Sequence, residues 1–241
     1  MRNVKNWHLL LSLVLTIFLA ACGRNTKEGT VTGSSSEMKP GPIVYVALGD
    51  STGAGVGAVD GGYVLRLQQR ILRHRPGSQL ANLCVSGATT ADVLQAQLEK
   101  GIEKDPQLVT LGIGINDIGH GVPIARFTEN YDRILSTLKE KTQAQIVVTN
   151  IPDISSAPQI PSSMRSQYHQ QIVAFNQRLE EIANRRGVSI FDIYSITTRE
   201  LPDHPEYFSR DGFHPSDEGY ELWAVQMWPT IARIIGVTDK R

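Results

Sequence analysis

Cysteine is scarce in this chain, and the short patterns that usually hold metal ions are missing. Two cysteines occur in 241 residues, and no Cys-x-x-Cys pair is present. The six histidines are scattered, and no His-Glu-x-x-His pattern joins two of them. A zinc site therefore has no support from the sequence, and no metal or other cofactor is expected.

An excess of charge of either sign is also missing. Lysine and arginine together number 24, as do aspartate and glutamate, so the formal net charge is zero. No electrostatic argument then favours nucleic acid as a partner. Tryptophan is rare, and no tryptophan cluster offers a platform on which sugars could stack. The sequence also has no internal repeat, and its composition does not change along the predicted folded part. Both observations favour one folded domain.

The N-terminus has the pattern of an export signal. Arg2 and Lys5 precede an apolar stretch over 9–21, which is short for a transmembrane helix. The stretch ends in Leu-Ala-Ala-Cys at 19–22, which resembles the bacterial lipobox, whose cysteine is lipidated. We interpret 1–21 as a signal peptide and Cys22 as a lipidation site that anchors an exported protein to the bacterial cell membrane. The alternative is a plain signal peptide, with Cys22 incidental.

The segment that follows has little to bury. Residues 22–42 are rich in Gly, Ser, Thr, Lys and Glu, so we expect a flexible tether. Removal of 1–21 takes away two basic residues and leaves the remaining chain slightly acidic. The folded domain is therefore expected over 43–241, held at the membrane by lipid and not by a basic face.

Strand-like and helix-like stretches alternate from Ile43 onward. Strands are predicted at 43–48, 79–85, 108–113, 145–150 and 188–191, and helices at 63–73, from Thr90, at 123–141, 166–186 and 217–235. Thr89 or Thr90 and Ser216 are the expected N-caps. The proline-rich stretch 151–163 is expected to be an irregular loop. This order predicts a three-layer α/β/α sandwich around a five-stranded parallel sheet.

Several polar residues follow the predicted strands. Ser51 ends the first strand in Gly-Asp-Ser, and Gly87 and Asn116 follow the second and third. Carboxyl ends of parallel strands share one edge of the sheet, so these residues can converge. Asp211 and His214 lie three apart, just before the last helix, and could supply a base and its orienting carboxylate for a serine nucleophile. Each residue could instead cap a helix or form a turn.

Four blocks, taken together, resemble the SGNH (GDSL) hydrolase family, whose fold is flavodoxin-like. They are Gly49-Asp50-Ser51, Gly87, Gly114-Ile115-Asn116-Asp117 and Asp211-Gly212-Phe213-His214-Pro215, in that order, and the likeness spans 43–235. The resemblance implies Ser51 as nucleophile, His214 as base and then acid, and Asp211 as orienting carboxylate. It further implies an oxyanion hole formed by the backbone N–H groups of Ser51 and Gly87 and the side-chain amide of Asn116. Thr52 stands where the family usually has leucine.

Other titratable residues have competing interpretations. His204 is an alternative base, although its neighbour Asp203 is adjacent in sequence, where side chains usually diverge. His120 could line the pocket or lie in a solvated loop. Cys84 is expected to be a buried free thiol, with a cysteine nucleophile as the alternative. Asp50 and Asp117 are expected to brace loops by hydrogen bonds.

The expected activity is hydrolysis of a small-molecule ester through an acyl-enzyme. Short-to-medium acyl esters, lysophospholipids or thioesters are favoured, because the predicted anchor lies beside lipid and apolar residues of 151–163 could wall an acyl site. A carbohydrate O-deacetylase is the alternative. A catalytically silent ligand-binding lipoprotein is the third possibility, and the full set of four blocks argues against it.

Overall fold

Five parallel strands form one sheet in residues 38–237, the part of the chain that the computed structural model describes. The strands are β1 (Val44–Gly49), β2 (Gln79–Asn82), β3 (Leu108–Gly112), β4 (Gln145–Thr149) and β5 (Ser189–Phe191). Their order across the sheet is β2-β1-β3-β4-β5, and every neighbouring pair is parallel. The predicted α/β class and the five-stranded parallel sheet are therefore confirmed.

Helices connect the strands. In chain order they are α1 (Ser51–Ala54), α2 (Tyr63–His74), α3 (Thr90–Asp92), a π-helical segment (Val93–Gln97), α4 (Leu98–Ile102), α5 (Ile115–Gly119), α6 (Ile124–Lys141), a 3₁₀ turn (Ser162–Met164), α7 (Arg165–Arg186), α8 (Ile193–Glu200), a second 3₁₀ turn (Pro205–Tyr207) and α9 (Asp217–Ile234). Thr89 and Ser216 are the N-caps of α3 and α9, as predicted. Within 38–237, no helix combines the length and the apolar character needed to cross a membrane.

Two apolar cores lie on opposite faces of the sheet. Alternate residues of β1 serve the two cores: Val46 and Leu48 pack with residues of α6 and α7, whereas Tyr45 and Ala47 pack with residues of α2 and α9. This period of two is that of an extended strand buried on both faces. Helices cover both faces of the sheet. The polar side chains of the candidate site therefore lie at the carboxyl ends of the strands, which the helices do not cover.

The structure departs from the sequence prediction at β2 and at α3. Strand β2 ends at Asn82 and not at Val85, although the N–H groups of Leu83 and Val85 still donate to the carbonyls of Ala47 and Gly49 in β1. The Asn82 side chain accepts a hydrogen bond from the Cys84 N–H and donates to the Gly53 carbonyl. The helix that begins at Thr90 passes into a π-helical turn at Val93. Helix α8 is a further element that the sequence analysis did not predict.

The last residues of the predicted tether contact the folded domain. The Arg75 guanidinium donates to the carbonyls of Lys39 (2.7 Å) and Gly41 (2.9 Å), and also to the carbonyl of Ile235. Burial lowers the pKa of Arg75. The predicted signal peptide 1–21 and the lipidation site Cys22 lie outside the described residues, so both stay predictions.

Candidate active site

Ser51 lies at the point where β1 gives way to α1. Strand β1 ends at Gly49, and Asp50 is the N-cap of α1, accepting hydrogen bonds from the Thr52 N–H (2.9 Å) and the Thr52 hydroxyl (2.8 Å). A side chain at Gly49 would place its Cβ 2.3 Å from the Gly112 carbonyl oxygen. Glycine is therefore required there for β1 to approach β3 and present Ser51 at the edge of the sheet.

The imidazole of His214 contacts the Ser51 hydroxyl. Nε2 of His214 lies 2.9 Å from Oγ of Ser51, and Nδ1 of His214 lies 2.6 Å from Oδ2 of Asp211. A carboxylate can only accept, so Nδ1–H is the donor to Asp211, and in the neutral imidazole Nε2 is left to accept the Ser51 hydroxyl proton. These contacts have the geometry of a nucleophile, a base and an orienting carboxylate.

A short loop fixes the Asp211 carboxylate in place. Its Oδ1 accepts hydrogen bonds from the Ser209 hydroxyl and from the backbone N–H groups of Phe213 and His214, at 2.8 to 2.9 Å. Partial burial raises the pKa of Asp211, but the hydrogen bonds from His214, Phe213 and Ser209 outweigh it, and the pKa lies well below its usual value. The carboxylate therefore stays ionised and can stabilise a protonated His214.

A second loop supports the histidine from the other side. At Gly57 the backbone is left-handed, with φ of 97°, and an added Cβ would lie 2.6 Å from the Pro215 carbonyl oxygen and 2.9 Å from the His214 Cβ. Asp217 holds this loop by accepting the backbone N–H groups of Val59 and Asp60. The loop after α1 and the loop that carries His214 are thus packed directly together.

The loops after β2 and β3 are joined by hydrogen bonds. The Asn116 amide donates from Nδ2 to the Ala88 carbonyl at 2.9 Å. Asp117 is fully buried and accepts from the Thr90 N–H (3.0 Å) and the Thr90 hydroxyl (2.6 Å). Burial raises the pKa of Asp117, and the hydrogen bonds from Thr90 oppose this only in part. Asp117 therefore braces the loop after β2, as predicted, whereas Asp50 caps α1 instead of bracing a loop.

The predicted oxyanion residues follow three adjacent strands. Ser51 follows β1 at the first position of a helix, where a backbone N–H has no acceptor within the helix. Asn116 follows β3, and Gly87, exposed and with φ of 79°, follows β2. Since the strand order is β2-β1-β3, the Ser51 loop lies between the other two.

An apolar cleft opens beside Ser51 and His214. We call it the acyl cleft; its volume is about 670 Å³ with its mouth included. Of the four isoleucine and alanine side chains of the 151–163 loop that were expected to wall it, Ile154 lines the cleft, whereas Ile151, Ala157 and Ile160 do not and pack into the core. Pro152 of the same loop also lines it. The other lining residues are Thr52, Ile115, Ile193, Ile196, Thr197, Glu200, Leu201, Tyr207, Phe208, Phe213, Pro215, Gly219, Leu222 and Trp223.

Sequence reasoning missed one whole wall of this cleft. Helix α8 contributes Ile193, Ile196 and Thr197, but its β-branched residues hide the helical pattern. A signal was present: Asp192 is the N-cap and accepts the Ser195 N–H at 3.0 Å, a spacing typical of helix starts.

The competing titratable residues lie elsewhere. His204 pairs with Glu206 at 2.8 Å, and this hydrogen bond raises the pKa of His204. His120 is exposed at the end of α5 and does not line the acyl cleft. Cys84 is a free, partly buried cysteine whose pKa is raised by burial, which disfavours the thiolate that a nucleophile needs. Among residues 38–237, no group of three or more His, Cys, Asp or Glu could hold a metal ion.

Residues 47–222 match the model of the GDSL-like Lipase/Acylhydrolase family. The chain belongs to this family. It is a carboxylic ester hydrolase, and the resemblance stated from the four sequence blocks is confirmed at the level of the family.

Known proteins of similar sequence and fold agree with this assignment. The chain is 25% identical to an arylesterase of Vibrio mimicus over 210 residues, which cover 87% of this chain and 90% of the relative. A lipase/acylhydrolase from Enterococcus faecalis superposes with a TM-score of 0.66 at 22% identity, covering 83% of this chain and 99% of that one. An acetylxylan esterase from Geobacillus stearothermophilus gives 0.64 at 21% identity, with 84% and 100% covered.

Proposed function

We propose that this protein hydrolyses short-to-medium acyl esters through a covalent acyl-enzyme on Ser51. The observation that carries the proposal is the contact of His214 Nε2 with Ser51 Oγ, at 2.9 Å, at one end of the apolar acyl cleft. A nucleophile with its base in place and an apolar site beside it suits an acyl group better than a sugar. Lysophospholipids and thioesters carry the same kind of acyl group and fall within the proposal.

The reaction takes place in two halves. In the first, His214 takes the Ser51 proton as Oγ attacks the ester carbonyl, and then gives that proton to the departing alcohol. In the second, His214 takes a proton from water, the hydroxide attacks the acyl-enzyme, and the proton returns to Ser51 as the acid leaves. Asp211 stays ionised throughout and stabilises the imidazolium that forms in each half.

Donors at the edge of the sheet would stabilise the tetrahedral oxyanion. We assign this role to the backbone N–H groups of Ser51 and Gly87 and to the Asn116 amide, whose Nδ2 carries a second hydrogen beside the one given to Ala88. Such a donor contributes roughly 3–4 kcal/mol to transition-state stabilisation in comparable enzymes.

The alternatives receive less support. A carbohydrate O-deacetylase must hold a sugar beside Ser51, whereas the side chains that line the cleft there are mostly apolar. A silent ligand-binding lipoprotein has no need of an imidazole placed between Ser51 and Asp211.

A panel of p-nitrophenyl esters, from acetate to palmitate, tests the acyl cleft. We expect kcat/KM to peak between butyrate and octanoate. At this peak it should exceed kcat/KM for the deacetylation of acetylated sugars. Ile196→Phe should shift the optimum to shorter chains, because Ile196 lines the cleft. Val173→Phe is the matched control, since Val173 is exposed on α7 and outside the cleft. Rapid deacetylation of a polysaccharide with negligible hydrolysis of butyrate and octanoate esters would contradict the proposal.

We also propose that the protein is exported and anchored through lipid on Cys22. The support is the sequence at 1–22. Several acyl chains on one cysteine hold a protein at a membrane far more firmly than one chain. The wild type should fractionate with membranes and Cys22→Ser should not; mass spectrometry that finds Cys22 unmodified would contradict the anchor and leave a secreted enzyme.

A further inference from the structure

A buried glutamine side chain is bonded to the backbone at the end of β1. Gln97 is 2% exposed. Its Oε1 accepts the backbone N–H of Gly49 at 2.8 Å, and its Nε2 donates to the carbonyl oxygen of the same residue at 2.8 Å. A backbone N–H can only donate and a carbonyl can only accept, so this orientation of the carboxamide is the one that satisfies both groups. Both ends of the carboxamide therefore serve one residue, two positions before Ser51.

The Gln97 carboxamide takes the place of a strand neighbour that β1 lacks at this point. The N–H of Val85 donates to the Gly49 carbonyl, and in a continued parallel ladder the N–H of Gly49 would in turn donate to the carbonyl of Leu83. Strand β2 has already ended at Asn82, and the Gly49 N–H donates to Gln97 instead. On this side, the N–H of the last residue of β1 is therefore held by a side chain and not by a strand.

The helical segment that carries Gln97 lies close to β1. Gln97 is the last residue of the π-helical segment, in which the N–H of Leu98 donates to the carbonyl of Val93, five positions earlier. Such turns hold one residue more than an α-helical turn and occur often at functional sites. Four positions after Gln97, a Cβ at Gly101 would lie only 3.2 Å from a side-chain carbon of Leu48. Glycine at 101 therefore lets this helix approach β1 closely enough for Gln97 to reach the backbone.

The peptide that Gln97 holds leads directly to the nucleophile. The Gly49 carbonyl and the Asp50 N–H belong to one planar peptide group. Gln97 bonds the carbonyl side, and the Asp50 N–H donates to the Gly112 carbonyl at 3.3 Å on the other side. Asp50 is the N-cap of α1, whose first residue is Ser51. The position of the Ser51 hydroxyl beside its base therefore depends on this peptide.

We propose that Gln97 is a positioning residue for the nucleophile: its carboxamide fixes the end of β1 so that Ser51 Oγ stays within reach of His214. The inference rests on the proposed role of Ser51 in ester hydrolysis and adds a residue that acts through the backbone. Gln97 does not line the acyl cleft, so its loss should lower kcat and spare KM. A displacement of about 1 Å at a reacting group can lower a rate about 100-fold.

Gln97→Met keeps the size of the side chain and removes both hydrogen bonds. We expect its kcat for p-nitrophenyl butyrate to fall roughly 10- to 100-fold, with KM changed by less than about 3-fold. Diethyl p-nitrophenyl phosphate reacts with an activated serine, so the rate at which it labels Ser51, followed by mass spectrometry, should fall in step with kcat.

Gln68→Met is the matched control for the loss of a buried glutamine. Gln68 is also buried, donates to the carbonyl of Ser78 at 3.0 Å and does not line the acyl cleft. Its kcat and its labelling rate should equal those of the wild type. Thermal melting of each variant checks that it is folded at the assay temperature.

A second variant, Gln97→Glu, tests the same hydrogen bonds by restoring them, and it does so even where Gln97→Met does not fold. A protonated carboxyl group can accept the Gly49 N–H and donate to the Gly49 carbonyl, as the amide does, whereas an ionised carboxylate has no donor. Burial favours the protonated form, so the kcat of Gln97→Glu divided by that of the wild type should be highest near about pH 5.5 and fall toward about pH 8. The titration of His214 is common to both proteins and cancels in this ratio.

Unchanged kcat and labelling rate in Gln97→Met, or an equal loss in Gln68→Met, would leave Gln97 with a structural role only and overturn the inference. A ratio for Gln97→Glu that does not fall with pH would overturn it too. If the wild type is labelled at Ser51 but hydrolyses no p-nitrophenyl butyrate, the proposed substrates are wrong, and the labelling rates still decide the role of Gln97. Absence of any label on Ser51 in the wild type would contradict both.

Discussion

The Asn116 amide donates to the carbonyl of Ala88 across 2.9 Å, and so joins the loop that follows β3 to the loop that follows β2. Gly87 immediately precedes Ala88, so one contact fixes the relative positions of two of the three proposed oxyanion donors. Asp117 joins the same two loops a second time, because it accepts hydrogen bonds from the backbone N–H and the hydroxyl of Thr90. The loops that carry Asn116 and Gly87 are therefore held together without any substrate.

Asn116→Ala should lower kcat roughly 10²–10³-fold with little change in KM. The proposed donor acts mainly on the charge that develops in the transition state, so ground-state binding should be spared. Steady-state kinetics with p-nitrophenyl butyrate measure both constants. Asn82→Ala is a suitable control, because Asn82 joins the end of β2 to α1 through the Gly53 carbonyl without being a proposed oxyanion donor. A change confined to KM would make Asn116 a binding residue instead.

Ser51→Ala and His214→Ala should each reduce ester turnover by roughly 10⁴-fold or more, and the double variant should be hardly worse. Nucleophile and base act as one unit, so their losses do not add. His204→Ala is the matched control, because His204 contacts Glu206 and not Ser51. Near-normal turnover in His214→Ala together with a large loss in His204→Ala would show that the base has been misassigned.

Asp211→Asn should reduce turnover less than either of these changes. An asparagine at 211 can still accept hydrogen bonds from the backbone N–H groups of Phe213 and His214, so the loop keeps its shape. What is lost is the negative charge that stabilises the imidazolium. The measurement is kcat at about pH 7.5, and a loss larger than that of His214→Ala would contradict the supporting role given to Asp211.

Asp50→Asn should change how stability depends on pH. Burial raises the pKa of Asp50 from 3.8 to about 6, against the opposing hydrogen bonds from Thr52. Between those values the folded protein binds more protons at Asp50 than the unfolded chain does, so this group makes stability fall as pH rises from about 4 to about 6. Asparagine stays neutral and can still accept from Thr52.

The melting temperature of Asp50→Asn, relative to the wild type, should therefore be more favourable at pH 7.5 than at pH 4. Thermal melts at both pH values give this difference directly, and other titrating groups cancel in the comparison. A difference that is the same at both pH values would mean that the environment of Asp50 does not penalise its charge.

Much of the fold was predictable because its determinants are local. Short apolar runs that end in Gly-Asp-Ser or Gly-Ile-Asn are typical of buried parallel strands. The observed strands β1 and β3 coincide with these runs. Asp211 and His214 were predictable as a pair because they lie three positions apart on one turn. Their meeting with Ser51 depended on the shared edge of the sheet, which the alternation of strands and helices implies.

The walls of the site depended on packing that local patterns do not encode. Helix α8 is short and rich in β-branched residues, so only tertiary contacts reveal that Ile196 faces the acyl cleft. Likewise, no sequence pattern distinguishes Ile154, which lines the cleft, from Ile160 of the same loop, which does not line it and is buried in the core of the domain. The hydrogen bonds of Gln97 to Gly49 also depend on packing, because the two residues lie 48 positions apart.

The central claim is that Ser51 is the nucleophile of this ester hydrolase. Incubation with diethyl p-nitrophenyl phosphate, followed by peptide mass spectrometry, tests it most directly, since the reagent leaves a stable phosphoryl group on an activated serine. We expect one adduct per chain on Ser51, formed in step with loss of esterase activity and absent in Ser51→Ala. Full inhibition with Ser51 unmodified, or with the adduct on Cys84 or another side chain, would contradict the account.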